Sequence, residues 1–250
     1  MEKGEIIIFT DGASKGNPGP GGWGAIVVEN TEGAGKGRVI ELGGGEKNTT
    51  NNRMEMMAVI EALTHVFNNF KIKDQKIIVY LDSSYVLRGA TKWVRGWQEN
   101  GWITKGKKEV LNKDLWEKMS ALLARKESDN IEWELLSGHV GIAGNERADK
   151  ISTDFAGASQ PKLLSGPLNE YKIDILNISH DATKKASKKK SSSRSKAKAY
   201  SYISMVKGII KTHPTWAECE AQVKGVSGTR FKKATSAEEE REIIAEWGAR

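Results

Sequence analysis

Two short apolar runs, each closed by an aspartate, constrain this chain more than any other feature: Glu5-Ile-Ile-Ile-Phe-Thr-Asp11 and Lys76-Ile-Ile-Val-Tyr-Leu-Asp82. Runs of this length, rich in β-branched and aromatic residues, read as buried strands. Between them lie further strand-like runs at 22–29 and 37–43 and a helix-like stretch at 52–69, with Asn51 and Asn52 as candidate caps. Glycine-rich turns (Gly16-Asn-Pro-Gly-Pro-Gly-Gly22 and the stretch around 33–37) separate the first three strands and predict an antiparallel meander. The run at 76–82 is entered from a helix, which predicts a strand parallel to the first. Helices over 113–126 and 144–157 and a strand over 131–136 complete the pattern. The expectation is an α/β fold, a five-stranded mixed sheet with flanking helices.

Parallel neighbours ending in Asp11 and Asp82 would release both carboxylates at the sheet's C-terminal edge, where open α/β sheets build their sites. Glu55 shares its helical face with Ala58, Val59 and Ala62. An acid on such an apolar stripe is costly unless it meets a cation. Asp149 lies in the closing helix, within Gly144-Asn-Glu-Arg-Ala-Asp-Lys150. Taken singly, each acid reads more readily as a solvated loop or cap residue. Taken together, four facing carboxylates repel one another, and a hard divalent cation such as Mg²⁺ relieves that repulsion.

The net charge of +7 is concentrated in one place. Residues 1–157 carry 21 Lys/Arg against 22 Asp/Glu, whereas 182–199 carry eight basic residues and no acid. Residues 182–199 are Lys, Ser and Ala apart from Thr183 and Arg194, with no aromatic, a composition that buries too little apolar surface to fold. The expected organisation is a domain over 1–157, a linker over 158–199 that is Lys/Ser-rich in 182–199, and a small domain over 200–250, where aromatics return. The basic run reads as a spacer with weak attraction for polyanions, or as a nuclear-import signal. A single cysteine, Cys219, excludes an internal disulfide and suits a reducing compartment. With no long apolar stretch and no signal-peptide pattern, the expectation is a cytoplasmic protein that does not engage membranes.

Four segments resemble type 1 ribonuclease H in order and spacing: Asp11-Gly-Ala-Ser-Lys-Gly-Asn-Pro-Gly-Pro-Gly-Gly-Trp-Gly-Ala-Ile26, Thr49-Thr-Asn-Asn-Arg-Met-Glu-Met-Met-Ala58, Leu81-Asp-Ser-Ser-Tyr-Val86 and Gly138-His-Val-Gly-Ile-Ala-Gly-Asn-Glu-Arg-Ala-Asp149. The resemblance implies a ribonuclease H-like fold and an endonuclease that hydrolyses the RNA strand of RNA–DNA hybrids. It implies that Asp11, Glu55, Asp82 and Asp149 bind two Mg²⁺ ions, with Mn²⁺ as a substitute, and that products carry 5′-phosphate and 3′-hydroxyl ends. His139 matches the family histidine that assists proton transfer and product release; a lone histidine is otherwise a surface or satisfied residue. Asn17, Asn51 and Asn52 match positions that hydrogen-bond the hybrid, and Thr50 one that meets a DNA phosphate. The asparagines also read as cap and turn chemistry. Ser84 matches a position that contacts the RNA strand, where the family often has the longer glutamine. Residues 92–113, with Trp93, Trp97 and Trp102 among cations, resemble the family's basic protrusion, although Gln98 and Glu99 replace common lysines. The tryptophans also read as ordinary helix packing.

The segments Tyr200-Ser-Tyr-Ile203, Thr215-Trp-Ala-Glu-Cys-Glu-Ala-Gln-Val-Lys-Gly225 and Thr229-Arg-Phe-Lys-Lys233 resemble the hybrid-binding domain of eukaryotic ribonucleases H. That module usually precedes the catalytic domain and follows it here. The resemblance implies that Trp216 and Phe231 pack on DNA sugars and that Lys232 and Lys233 meet phosphates. A small α/β domain with ordinary core aromatics is the alternative. The partner implied is an RNA–DNA hybrid, bound by a monomer. Two rivals stand beside this reading: a hybrid-binding protein without catalysis, and an integrase-like DNA nuclease.

Overall fold

A computed structural model of the chain describes residues 4–30, 37–72, 75–104, 106–136, 141–178, 199–226 and 228–248. They separate into two compact units, Met1–Arg95 with Asn112–Lys190, and Gly96–Leu111 with Ser191–Arg250.

In the first unit, strand β1 (Glu5–Ser14) carries Ile6, Ile8 and Phe9 at zero exposure. Each such side chain stabilises the fold by about 1.5–3 kcal/mol relative to leaving it in water. β1 pairs antiparallel with β2 (Gly19–Asn30), which pairs antiparallel with β3 (Gly37–Thr49). Helix α1 (Asn51–Asn69) then crosses to β4 (Lys76–Leu81), which pairs parallel to β1, Thr10 opposite Leu81. Strand β5 (Ile131–Leu135) pairs parallel to β4. In sequence, α2 (Ser84–Arg88), α3 (Val94–Glu99, whose residues from Gly96 on are counted with the second unit) and α4 (Lys113–Leu123) lie between β4 and β5, and α5 (Ala143–Ala156) follows β5. Alternation along β1 assigns its two faces. Ile7 and Phe9 join the cluster that includes Ala148 and Ile151 of α5. Gly12, of opposite parity, meets α1.

Two expectations change. The sheet has six strands, in the order β5-β4-β1-β2-β3-β6, because β6 (Ser165–Pro167) adds antiparallel to β3. The first part of the expected linker is therefore ordered structure. Leu163, Leu168 and Tyr171 pack against the same cluster as α5, and Ile175 within it is 2% exposed. This stretch shows no period because its regular structure is a three-residue strand and one short turn of helix, each too short to repeat. Strand β1 also runs past Asp11 to Ser14, held by β2 through Ser14 opposite Gly21. The acid sits inside the strand, although it ends the apolar run.

In the second unit, β7 (Ser201–Val206) and β8 (Ile209–His213) form a hairpin closed by Lys207 and Gly208, with φ of 49° and 80°. Positive φ at both central residues gives the two-residue turn that matches strand twist. Helix α6 (Trp216–Val223), β9 (Arg230–Ala234) and α7 (Ala237–Gly248) follow, with sheet order β8-β7-β9. Ile203, Ala234, Ile243 and Trp247 form its small core. Cys219 is a buried free thiol.

Candidate active site

The four acids, three from β1, α1 and α5 and one from the connection after β4, line one cleft at the C-terminal edge of the sheet, together with Gly12, Ala13, Ser14 and Asn51. Asp11 projects toward α5. There the Ser152 hydroxyl lies 3.4 Å from Asp11 Oδ2 and 2.9 Å from the Asp149 carbonyl oxygen, so one proton is shared between two acceptors. Asp11 is only 3% exposed. Glu55 arrives from the opposite side of the sheet, and Gly12 is what admits it. A Cβ on Gly12 would lie 2.2 Å from the Glu55 backbone nitrogen, so α1 crosses β1 over a position with no side chain. Asp82 follows the last residue of β4.

Glu55 is oriented at both oxygens. Asn51 Nδ2 donates to Oε1 at 2.7 Å, and the Ser83 hydroxyl donates to Oε2. Ser83 is also the N-cap of α2, accepting from Val86 N. Sequence reasoning missed this residue; the available signal was a serine directly after Asp82 and ahead of a short helix. Ser84, the expected contact, is exposed at the first position of α2.

Thr50, rather than Asn51 or Asn52, caps α1 by accepting from Arg53 N. Asn51 is thereby the first helical residue, its amide N–H donating to Asn17 Oδ1 at 3.1 Å. Asn52 is buried, and its Nδ2 has no hydrogen-bond partner among the described residues. Trp93 is half-buried with its ring 6.2 Å from Tyr85, whose hydroxyl accepts from Trp116 Nε1. Trp97 is buried. His139 lies outside the described residues.

The donor set suits a hard dication: four carboxylates on a cleft open enough for phosphate and water to complete coordination. Among the described residues no three His, Cys, Asp or Glu side chains already stand as a closed metal-binding group. The acids share a cleft rather than a cage.

Behind the cleft, Glu41 of β3 is buried at zero side-chain exposure and accepts four hydrogen bonds. Arg147 Nε and Nη2 donate at 2.7 and 2.8 Å, the Tyr171 hydroxyl at 2.6 Å and Leu164 N at 2.9 Å. Burial alone would raise the Glu41 carboxyl, but these donors hold it below the usual carboxylate range. Burial and the Glu41 carboxylate together push the Tyr171 phenol up.

The second unit carries its own exposed feature. Trp216 lies 5.1 Å from Phe231 and 5.6 Å from Tyr202, ring centre to ring centre, and Trp216 and Phe231 are both exposed. Register places Ser204 opposite Phe231 and Tyr202 opposite Lys233, so Phe231 and Lys233 share one sheet face. Lys232 points to the other face, where its Nζ lies 3.7 Å from Glu246 of α7. The two expected phosphate contacts therefore do not lie side by side.

A family model described as RNase H matches residues 3–156. The ribonuclease H of Polaromonas naphthalenivorans is 49% identical over 147 residues, 59% of this chain and 84% of that protein. That of Maricaulis maris is 48% identical over 149 residues, 60% of this chain and 91% of that protein. Among solved structures, LC9-RNase H1, a type 1 RNase H with the type 2 active-site motif, is similar at 25% identity and TM-score 0.55, covering 75% of this chain and 86% of that one. The fold is also that of the PFV RNase H domain, with TM-score 0.52 at 23% identity, over 64% of this chain and 99% of that one. A second model, described as Ribonuclease H1 N-terminal domain, matches residues 212–240.

The chain belongs to the ribonuclease H family. It is a ribonuclease H, of the class of enzymes that hydrolyse the RNA strand of RNA–DNA hybrids and generally use divalent metal ions.

Proposed function

We propose that the chain is an endonuclease that cuts the RNA of a hybrid by in-line displacement, with two Mg²⁺ ions held by Asp11, Glu55, Asp82 and Asp149. The observation that carries this reading is the convergence of those four carboxylates on one cleft. Bound there, two divalent ions would supply an activated water and stabilise the leaving oxygen. Water oxygen bonds to phosphorus, the bond from phosphorus to the 3′-oxygen breaks, and that oxygen takes a proton. The products are a 5′-phosphate and a 3′-hydroxyl. Asn51 and Ser83 fix the rotamer of Glu55, and Ser152 braces Asp11 against α5. Their work is done before substrate arrives, which is how a preorganised site lowers a barrier.

A single assay tests this. The protein is incubated with hybrid, duplex RNA and duplex DNA, with Mg²⁺ and with EDTA. Cleavage confined to the RNA of the hybrid, blocked by EDTA and by Asp11→Asn, is the expected result. Tight hybrid binding without cleavage would favour a binding protein, and cleavage of duplex DNA an integrase-like nuclease.

The second unit is read as a hybrid-holding module, supported by the cluster of half-buried Tyr202 with exposed Trp216 and Phe231, and by Lys233 on the same face. Aromatic faces and a cation are the usual platform for nucleic acid.

A further inference from the structure

We infer that Tyr171, through Glu41 and Arg147, positions Asp149 and thereby sets how tightly the carboxylate cleft holds its divalent cation. The inference rests on the metal-site reading above, and it assigns a working role to a segment beyond the closing helix.

Helix α5 lies very close to the sheet. A Cβ on Gly24 would come 2.5 Å from the Ala148 carbonyl oxygen, and one on Gly144 would come 2.4 Å from Phe9 Cδ2. Flat contacts of this kind fix the distance between helix and sheet, but they resist rotation and sliding weakly. Beside the long Ser152–Asp11 contact at 3.4 Å, the directional hold comes from Arg147. Its guanidinium grips both oxygens of Glu41, at 2.7 and 2.8 Å. A two-point grip fixes orientation as well as distance.

Arg147 and Asp149 are two residues apart, about 200° around a helix. The grip and the cleft acid therefore lie on opposite sides of α5, and a turn about the grip moves Asp149 relative to Asp11. Glu41 can hold Arg147 in one pose only if its own carboxylate is fixed. Half of that fixing comes from beyond α5, from the Tyr171 hydroxyl at 2.6 Å and Leu164 N at 2.9 Å. Both belong to the stretch that returns to pair with β3 and buries Ile175. A chain ending with the helix would lack both donors.

The test uses the full chain. Tyr171→Phe removes one hydroxyl and keeps the ring. Mg²⁺ is titrated without nucleic acid, following the Asp149 backbone amide by NMR, and hybrid cleavage is then measured against Mg²⁺ concentration. Groups touching a metal ligand typically contribute about ten- to a hundredfold in affinity; acting at one remove, Tyr171→Phe is expected to weaken Mg²⁺ binding at least about threefold. The Mg²⁺ needed for half-maximal cleavage rises by the same factor, with KM for hybrid unchanged. Arg147→Lys keeps the charge, loses the two-point grip and weakens binding further. A folded Tyr171→Phe protein with the parent's Mg²⁺ affinity overturns the inference, as does a parent chain whose Asp149 amide ignores Mg²⁺. A parent that binds Mg²⁺ but cuts no hybrid overturns the proposed function alone, because the titration still decides the role of Tyr171.

Discussion

At the residue scale, the cleft depends on what Gly12 lacks as much as on what its neighbours carry. Gly12→Ala would drive a Cβ into the backbone at Glu55. Overpacking of this kind costs about 1–3 kcal/mol, and here it displaces a cleft acid as well. The expected outcome is a modest fall in melting temperature with a disproportionate fall in kcat, checked by calorimetry beside steady-state cleavage. Asp11→Asn should lower kcat by at least about a thousandfold, roughly 4 kcal/mol of barrier, while hybrid binding survives. Ser83→Ala removes a hydrogen bond to a carboxylate, worth about 1.5–3 kcal/mol, and should slow cleavage by at least about tenfold with little change in KM. The acids are visible in the sequence because each interrupts an apolar pattern that a fold would prefer to continue. Ser83 is not, because two adjacent serines look alike until the start of α2 decides which caps and which faces solvent.

Among the elements, α5 and β3 are joined by a buried ion pair that responds to acid. The donors around Glu41 hold its carboxyl below its ordinary value of 4.5, so its stabilisation is fully present above that pH and is lost as pH falls through the lower folded value. Glu41→Gln should therefore flatten the acid limb of a stability–pH profile followed by urea denaturation. At neutral pH it leaves Arg147 partly buried without its counter-charge, costing about 3–5 kcal/mol. The main strands and helices were legible from their periods. The sixth strand was not, since β6 is three residues long and is defined by its partner. Tyr171 was equally invisible, because its hydrogen-bond partner lies 130 residues away in sequence.

For the whole molecule, the placement of charge decides how holding and cutting divide. The run at 182–199 carries the positive excess and, Ala199 apart, lies outside the described residues. Within the second unit, Lys233 shares the aromatic face while Lys232 turns toward Glu246. Lys233→Ala should lower the salt slope of hybrid binding by about one, whereas Lys232→Ala should leave it nearly unchanged. Equal slopes in fluorescence-anisotropy titrations would overturn that division. Trp216→Ala with Phe231→Ala should weaken hybrid binding by at least about tenfold, since a stacked base contributes about 1–3 kcal/mol, and should leave kcat at saturating hybrid unchanged.

The position of β1 near the middle of its sheet, bonded on both sides, bears on how the cleft moves in time. Backbone amides there exchange with solvent only when the domain opens globally, while those at strand ends and helix starts open at lower free energy. Asp11 rides on the slow strand, and Asp82 follows the end of β4. Deuterium uptake should thus be slowest through Ile8 to Asp11 and faster at Asp82 and Ser83. An enzyme that must admit a duplex and release a nicked one would then keep one acid fixed and let the rim adjust around it.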